Sequence, residues 1–442
     1  MLLSLKRLYK CLPLTVKENN FIKKFFFVIL WPFINKNESY RRFKKSEETT
    51  KELKNSLLNN HKLKKSLITD FNSQSLKGKK NILIIDDFIC QPDRDSGSLR
   101  TYNMIKILLL LEFNVKFYPA NRQYIQPYLQ NLQQLGVVVL HPPYVSSLSK
   151  YLHMFGTEFS VVILSRVGIA VTYIEAVKKY CTNALVIFDT VDLHFLREKR
   201  GAQYRGDLSR LKIIQKLKRD ELSVVRKSDI TIVVSQLEKQ IVKKEEPDSN
   251  VEIISNIHDL HGSNNSFRQR TGIIFIGDFR HQPNVDAVLF LIGKIIPLFQ
   301  EQLAGVKTYI IGSNPPENIL CYSSEDIIIT GYVKDVSRYF NLCRVSVAPL
   351  LWGAGVKGKI NMSMSHGVPV VATPIATEGI PCKNEFDILI ASDSDSFAAA
   401  VVELYRNEEL WNRLSYNCIE NVKKYFSFDT AKNKLEQILI RK

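Results

Sequence analysis

From residue 81 onward the chain alternates short apolar runs with amphipathic stretches. NILIIDD, VKFYPA, VVVL, VVILSR, ALVIFDT, ITIVVS and VEIISN follow one another over residues 81–256. Short runs this rich in Val and Ile, with helical patterns between them, predict parallel strands buried on both faces and joined by crossover helices. HGSNNSFRQRT, residues 261–271, interrupts the pattern with polar and turn residues, as a linker between domains does. The alternation then resumes with GIIFIGD, VKTYIIGS, IIITGYV, VSVAPL, VPVVATP and DILIA over residues 272–391. The fold class expected is therefore α/β, with two doubly wound domains, 81–265 and 272–427, facing across a cleft, and a closing helix over 428–442. Ligands of such sheets sit beyond the carboxyl ends of the strands.

Composition changes this picture at one end only. The formal charge of +17 invites a nucleic-acid reading until it is located. Residues 1–80 hold 19 Lys and Arg against 6 Asp and Glu, a net of +13, which leaves +4 for the remainder of the +17. The excess belongs to a basic, partly helical arm and linker, and no basic stripe with stacking aromatics follows it, so nucleic acid is not an expected partner. Within the arm, FFFVILWPF, residues 25–33, is about half as long as a bilayer span and contains Pro32. With Lys23, Lys24, Lys36, Arg41, Arg42, Lys44 and Lys45 around it, residues 1–45 read as an interfacial segment suited to an anionic membrane, or as a helix packed on the protein's own body or a partner.

Seven cysteines are scattered, with no C-x-x-C spacing, and MLLSLKRLYK puts charge where a secretory signal would be apolar. A cytoplasmic protein without disulfides or a cysteine metal site is expected, peripheral to the membrane if the arm binds lipid.

Four stretches carry candidate chemistry. GAGVKGKI, residues 353–360, follows the strand VSVAPL and precedes a helix read over 361–366. Bare backbone at Gly353, Gly355 and Gly358 with Lys357 and Lys359 at a helix start is what a phosphate requires, since the terminal N–H groups and the helix dipole both favour an anion. A flexible turn with solvated lysines is the bland reading, and the position at the cleft edge favours phosphate. DSGS, residues 95–98, opens a helix after the first strand, so Asp95, Gly97 and Ser98 are candidates for the cleft, although Asp95 also reads as an ordinary N-cap. Arg166 ends the run VVILSR, where a core position would not want a charge. DTVDLHFLREKR gathers Asp189, Asp192 and His194 at a strand end; Asp192 and His194 could orient a substrate hydroxyl or take its proton, and Arg197 to Arg200 read as the solvated face of a helix.

The run APLLWGAGVKGKINMSMSHGVPVVATPIATEGI, residues 348–380, resembles the donor-binding segment of GT-B glycosyltransferases of the large family 4 type. FIGDFRHQPNVDAVLF resembles the first strand, loop and helix of the same domain, and IDDFICQPDRDSGSLRTYNMIKIL, LSRVGIAVTYI and FDTVDLHFLREKR resemble that branch's acceptor-side domain. FSFDTAKNKLEQIL resembles the terminal helix that returns to the first domain. The resemblance covers about 81–442. It implies two Rossmann-like domains and transfer of a sugar from a nucleotide-sugar donor to a glycan or lipid-linked acceptor, with retention of configuration, in surface polysaccharide or lipid-linked glycan assembly.

It also implies a reaction without metal or other cofactor. The leaving diphosphate would then be neutralised by Lys357, Lys359, the loop amides and the helix dipole, with Gly277 and Arg280 from the neighbouring loop, each charged hydrogen bond contributing about 1.5 to 3 kcal/mol. One departure stands out. Much of the wider family carries two glutamates across this loop and helix, the second contacting the ribose, whereas this chain has Trp352 and Met362 there, with Glu378 as the substitute. A sugar-nucleotide epimerase of the same fold, or a non-catalytic sugar-nucleotide-binding scaffold, is the alternative.

Overall fold

The computed structural model describes residues 79–440, apart from 143–144 and 263–264. The arm and its membrane reading lie outside the described residues. The first domain is built on β1 (Asn81–Asp86), β2 (Asn114–Pro119), β3 (Val138–Val139), β4 (Phe159–Ser165), β5 (Leu185–Asp189), β6 (Ile230–Val233) and β7 (Val251–Ile253), in the order β3-β2-β1-β4-β5-β6-β7. Every pairing is parallel, with Ile84 opposite Phe117 on one side and Ile163 on the other. Helices cover both faces, so both sides of a strand must be apolar; all of β1 after Asn81 is buried, including Asp86.

The second domain repeats the plan with β8 (Gly272–Ile276), β9 (Thr308–Ile311), β10 (Ile327–Gly331), β11 (Cys343–Ala348), β12 (Val370–Ala372) and β13 (Leu389–Ile390), ordered β10-β9-β8-β11-β12-β13. In each sheet the strand order reverses beside the first strand, between β1 and β4 and between β8 and β11. Loops on either side of such a reversal part, and the crevice between them opens at the carboxyl ends of the strands. The helical run Gln282–Phe299 is apolar enough for a membrane span by length and composition, but half of it is buried, and Val288, Leu291 and Ile295 form part of this domain's core.

The helix Phe428–Ile440 sends Ala431, Leu435, Ile438 and Leu439 into the core of the first domain, against Ile82, Met104 and Ile105 among others. The chain thus crosses between domains twice, and the crossings touch where the His258 N–H donates to the Phe426 carbonyl at 2.8 Å.

Candidate active site

A cavity of about 320 Å³ lies between the two domains, at the carboxyl ends of both sheets. Its walls come from the loops after β1, β4, β5 and β7 on one side and after β8, β9, β10 and β11 on the other. The structure brings Asp95, Gly97, Arg166 and Asp192 to the first wall and Gly277, Gly353, Gly355, Lys357, Gly358 and Lys359 to the second.

The second wall is shaped for an anion. Among the described residues none of the N–H groups of residues 354–358 takes a hydrogen bond. Carbonyls in the same loop are tied back: Gly353 O accepts from Arg200 at 2.8 Å, Gly355 O from Lys357 Nζ at 2.6 Å and Val356 O from Asn256 at 3.2 Å. Free donors without competing acceptors favour bound negative charge. The helix begins at Gly358, three residues earlier than the sequence pattern places it, and runs to Ser365. Its earlier start puts Lys359 in the first turn, where Nζ reaches Asn284 Oδ1 at 2.6 Å and stands 4.2 Å from the Phe275 ring centroid, beside the Gly277 turn.

Two of the glycines are sterically required. A Cβ on Gly358 would stand 2.4 Å from the Ser96 Cβ of the opposite domain, closer than real contacts allow. Gly355 has φ +68°, and a Cβ there would meet the Asp192 Cβ at 3.1 Å. The loop 353–358 is therefore pressed directly against the first domain, with Asp192 as its neighbour.

Asp192 sits in a strained turn, since Val191 just before it has φ +65°, a value β-branched residues rarely adopt. Backbone strain of this kind costs about 1 to 3 kcal/mol and persists where the surroundings enforce it. Two buried carboxyl groups do the enforcing: Glu238 accepts the Leu193 N–H at 3.2 Å, and Glu221 accepts those of His194 at 3.2 Å and Phe195 at 3.1 Å. Asp192 Oδ2 accepts from Arg197 at 2.6 Å, while Oδ1 accepts no hydrogen bond from the described residues. Burial would raise the Asp192 carboxyl, but His194 when protonated, Arg197 and Arg166 hold it below the usual range, and the two arginines keep it charged at neutral pH, where His194 is neutral.

Several candidates stand elsewhere than the sequence suggests. His194 does not line the cavity; Nδ1 is 3.1 Å from the Asp192 carbonyl and 3.3 Å from Oδ1, so the ring lies beside Asp192 and supports it. Burial lowers its pKa, partly opposed by Asp192, which makes the neutral imidazole with its proton on Nδ1 the form that fits the carbonyl. Ser98 is buried and donates to Asp95 Oδ2 at 2.9 Å, while the Ser98 N–H donates to Asp95 Oδ1 at 2.8 Å; Asp95 is at once the N-cap and a cavity wall. Arg280 is turned back onto Asp278, with Nε 2.7 Å from Oδ2, and stays outside the cavity, because the buried Asp278 carboxylate beside it needs a counter-charge. Asp189 is held by both terminal nitrogens of the buried Arg100, at 2.7 and 2.9 Å, and is a structural pair.

Glu378 is likewise engaged. Arg200 grips it with both terminal nitrogens, at 2.7 and 3.0 Å, so the helix face read as solvated reaches across the domains and its Arg197 lines the cavity. Met362 lines the cavity, whereas Trp352 does not; its Nε1 donates to Asp286 at 2.7 Å and its ring covers Gly201. Arg166 meets the expectation of a cleft position, pairing with Asp86 at 2.9 Å from a residue with φ +73°.

Sequence reasoning missed Arg94, Asn256, Asn284, Tyr332 and Lys334 in the cavity walls. Arg94 crosses to the second domain, 3.7 Å above the Tyr332 ring and 3.4 Å from Ser313 Oγ. For Glu238 a signal existed: S-x-x-E after ITIVV is a capping pattern, and Ser235 caps that helix. Among the described residues no three His, Cys, Asp or Glu side chains gather as a metal site.

Residues 270–407 match the Glycosyl transferases group 1 family. The fold is that of HepE from Anabaena, solved with UDP and glucose (TM-score 0.63, 12% identity, 81% of this chain and 99% of that one). It is equally that of sucrose-phosphate synthase from Thermosynechococcus elongatus (TM-score 0.61, 14% identity, 81% and 98%). In sequence the chain is 21% identical over 183 residues, 39% of its length, to an uncharacterized 44.6 kDa protein in the cps region of Klebsiella pneumoniae, of which it spans 45%. The second domain is thus a glycosyltransferase domain within a GT-B fold.

Proposed function

We propose that this GT-B protein transfers a sugar from a nucleotide-sugar donor to a glycan or lipid-linked acceptor in surface polysaccharide biosynthesis, with retention of configuration and without a bound metal. One observation carries the reading: a loop of free N–H groups and two lysines faces a charged carboxylate across a cavity between two domains. The diphosphate would lie on residues 354–358 and the start of the following helix, where Lys357 and Lys359 neutralise the charge that builds on the leaving group. Asp192, against that loop, would hold a sugar or acceptor hydroxyl. The complex of HepE with UDP and glucose and the cps-region relative support the donor class and the biosynthetic setting. The basic arm, residues 1–45, is the part we assign to the inner membrane surface.

A thermal-shift screen of nucleotide sugars tests this directly, because a specific ligand raises the melting temperature. We expect at least one nucleotide sugar to stabilise the protein, and transfer to a polyprenyl-linked or glycan acceptor to persist in EDTA. Conversion of the donor into an epimer with no acceptor present would establish the epimerase reading instead. Stabilisation by none would remove the donor assignment.

The lysines make donor binding pH-dependent. Burial pushes Lys359 down to about 7, helped by Lys357, and pushes Lys357 down to about 8, where Glu378 partly opposes it. A diphosphate selects the ammonium forms. Affinity should therefore be highest below pH 7 and fall as pH rises from 7 to 9, with proton uptake on binding near pH 7.5. Calorimetry with the best-binding nucleotide sugar in two buffers of different ionisation enthalpy measures both; a constant affinity from pH 6 to 9 with no proton uptake would show the lysines are not diphosphate ligands.

A further inference from the structure

The helix His194–Arg205 begins two residues after Asp192 and carries Arg200 to the opposite domain. There one guanidinium holds three oxygens: Gly353 O at 2.8 Å and the two Glu378 carboxylate oxygens at 2.7 and 3.0 Å. Both side chains are mostly buried, 21% and 26% exposed, so water competes little with the pair. Gly353 opens the anion loop, and Glu378 lies in the turn after the helix Pro374–Thr377, beyond β12. A second contact acts in the same sense from the same domain, since Asn256 Nδ2 donates to Val356 O and to Asn361 Oδ1, each at 3.2 Å. Of the three loop carbonyls turned away from the free amides, two are thus held by the first domain and one by the loop's own Lys357.

From this geometry we infer that Arg200 is a positioning residue for the anion loop: the first domain shapes the diphosphate site of the second, and the site is complete only while the domains are closed on the Arg200–Glu378 pair. Arg200 touches no reacting atom. It fixes the orientation of the Gly353 peptide and keeps Glu378 in a salt bridge beside Lys357. Opening the cleft breaks all three contacts at once, and the Gly353 carbonyl is then free to turn toward the amide side, where it competes with a bound anion. Glu378 is accordingly a partner in closure and not a ribose ligand. The argument rests on the diphosphate assignment proposed above, and its test separates the two.

Charge exchange provides the test, on the full chain. Arg200→Glu and Glu378→Arg are each compared with the double exchange, using UDP as the probe in calorimetry and small-angle scattering without nucleotide. We expect each single variant to bind UDP about tenfold or more weakly and to scatter as a more extended particle, and the exchanged pair to recover most of both, a coupling expected of residues in direct contact. Arg200→Lys, which keeps the charge but loses the fork, should fall between wild type and Arg200→Glu. Recovery in the exchanged pair also rules out misfolding as the cause. Wild-type scattering and UDP affinity in both single variants, or losses that simply add in the pair, would overturn the inference. Should wild type itself not bind UDP, the diphosphate assignment fails for this nucleotide, while the scattering of the single variants still decides whether Arg200 holds the domains closed.

Discussion

Asp192→Asn is expected to lower turnover by about 10²-fold or more, the lower range for loss of a positioned polar group acting on the reacting centre. The affinity for the nucleoside diphosphate should change little. The reason lies in where the two functions sit. The proposed diphosphate donors belong to residues 353–359, whereas Asp192 stands on the loop after β5 in the other domain, with one carboxylate oxygen on Arg197 and the other without a hydrogen bond among the described residues. A carboxylate held below its usual pKa is a weak base, so the role proposed for it is to accept a hydrogen bond from a sugar hydroxyl and to stabilise positive charge at the reacting carbon. Asparagine keeps the shape and removes the charge. Turnover, diphosphate affinity and melting temperature measured together check this. Unchanged turnover would remove Asp192 from the mechanism, and a parallel fall in all three would make it a structural residue. His194→Ala should show a smaller loss in turnover, since the ring reaches the cavity only through Asp192.

Lys359→Ala should weaken binding of the nucleotide sugar by about 10- to 150-fold, the equivalent of one charged hydrogen bond of about 1.5 to 3 kcal/mol. Lys357→Ala should cost less. Lys359 stands in the first turn of the helix, between the loop amides and the Gly277 turn, and among the described residues its Nζ has only the neutral Asn284 amide oxygen as a hydrogen-bond partner. Lys357 Nζ is already committed to Gly355 O and is influenced by Glu378. Truncating Lys357 therefore removes charge at longer range and also frees a carbonyl. Calorimetric affinities for both variants at pH 6.5, where the ammonium forms dominate, decide the order. Wild-type affinity in both would exclude this loop as the diphosphate site.

The strands were legible because each is a continuous Val- and Ile-rich run, a pattern that only a sheet covered on both faces buries. Each of the thirteen strands among the described residues overlaps one of those runs, and β2, β4 and β11 begin one or two residues before theirs. The place of the glycine- and lysine-rich loop at the cavity edge was legible too, since it follows a strand and opens a helix of a parallel sheet. The helix start was misplaced by three residues because Lys357, Gly358 and Lys359 have no propensity that marks a beginning; close packing of Gly358 against Ser96 accounts for the tight turn there.

Local sequence determined the two sheets, their linker, the loops at their carboxyl ends and the residue types on those loops. Tertiary structure alone decided which charges face the cavity. Arg197 and Arg200 look like any solvated pair on a polar helix, and Arg280 looks like a phosphate ligand in a glycine turn. Yet Arg200 meets Glu378 across 178 positions of sequence, and Arg280 is taken by Asp278 two residues away. A long cationic side chain goes to the nearest buried carboxylate, and which carboxylate is nearest depends on how two separately folded domains meet. That meeting is set by the second crossing of the chain and by glycines that admit close backbone contact, features whose effect no window of neighbouring residues contains.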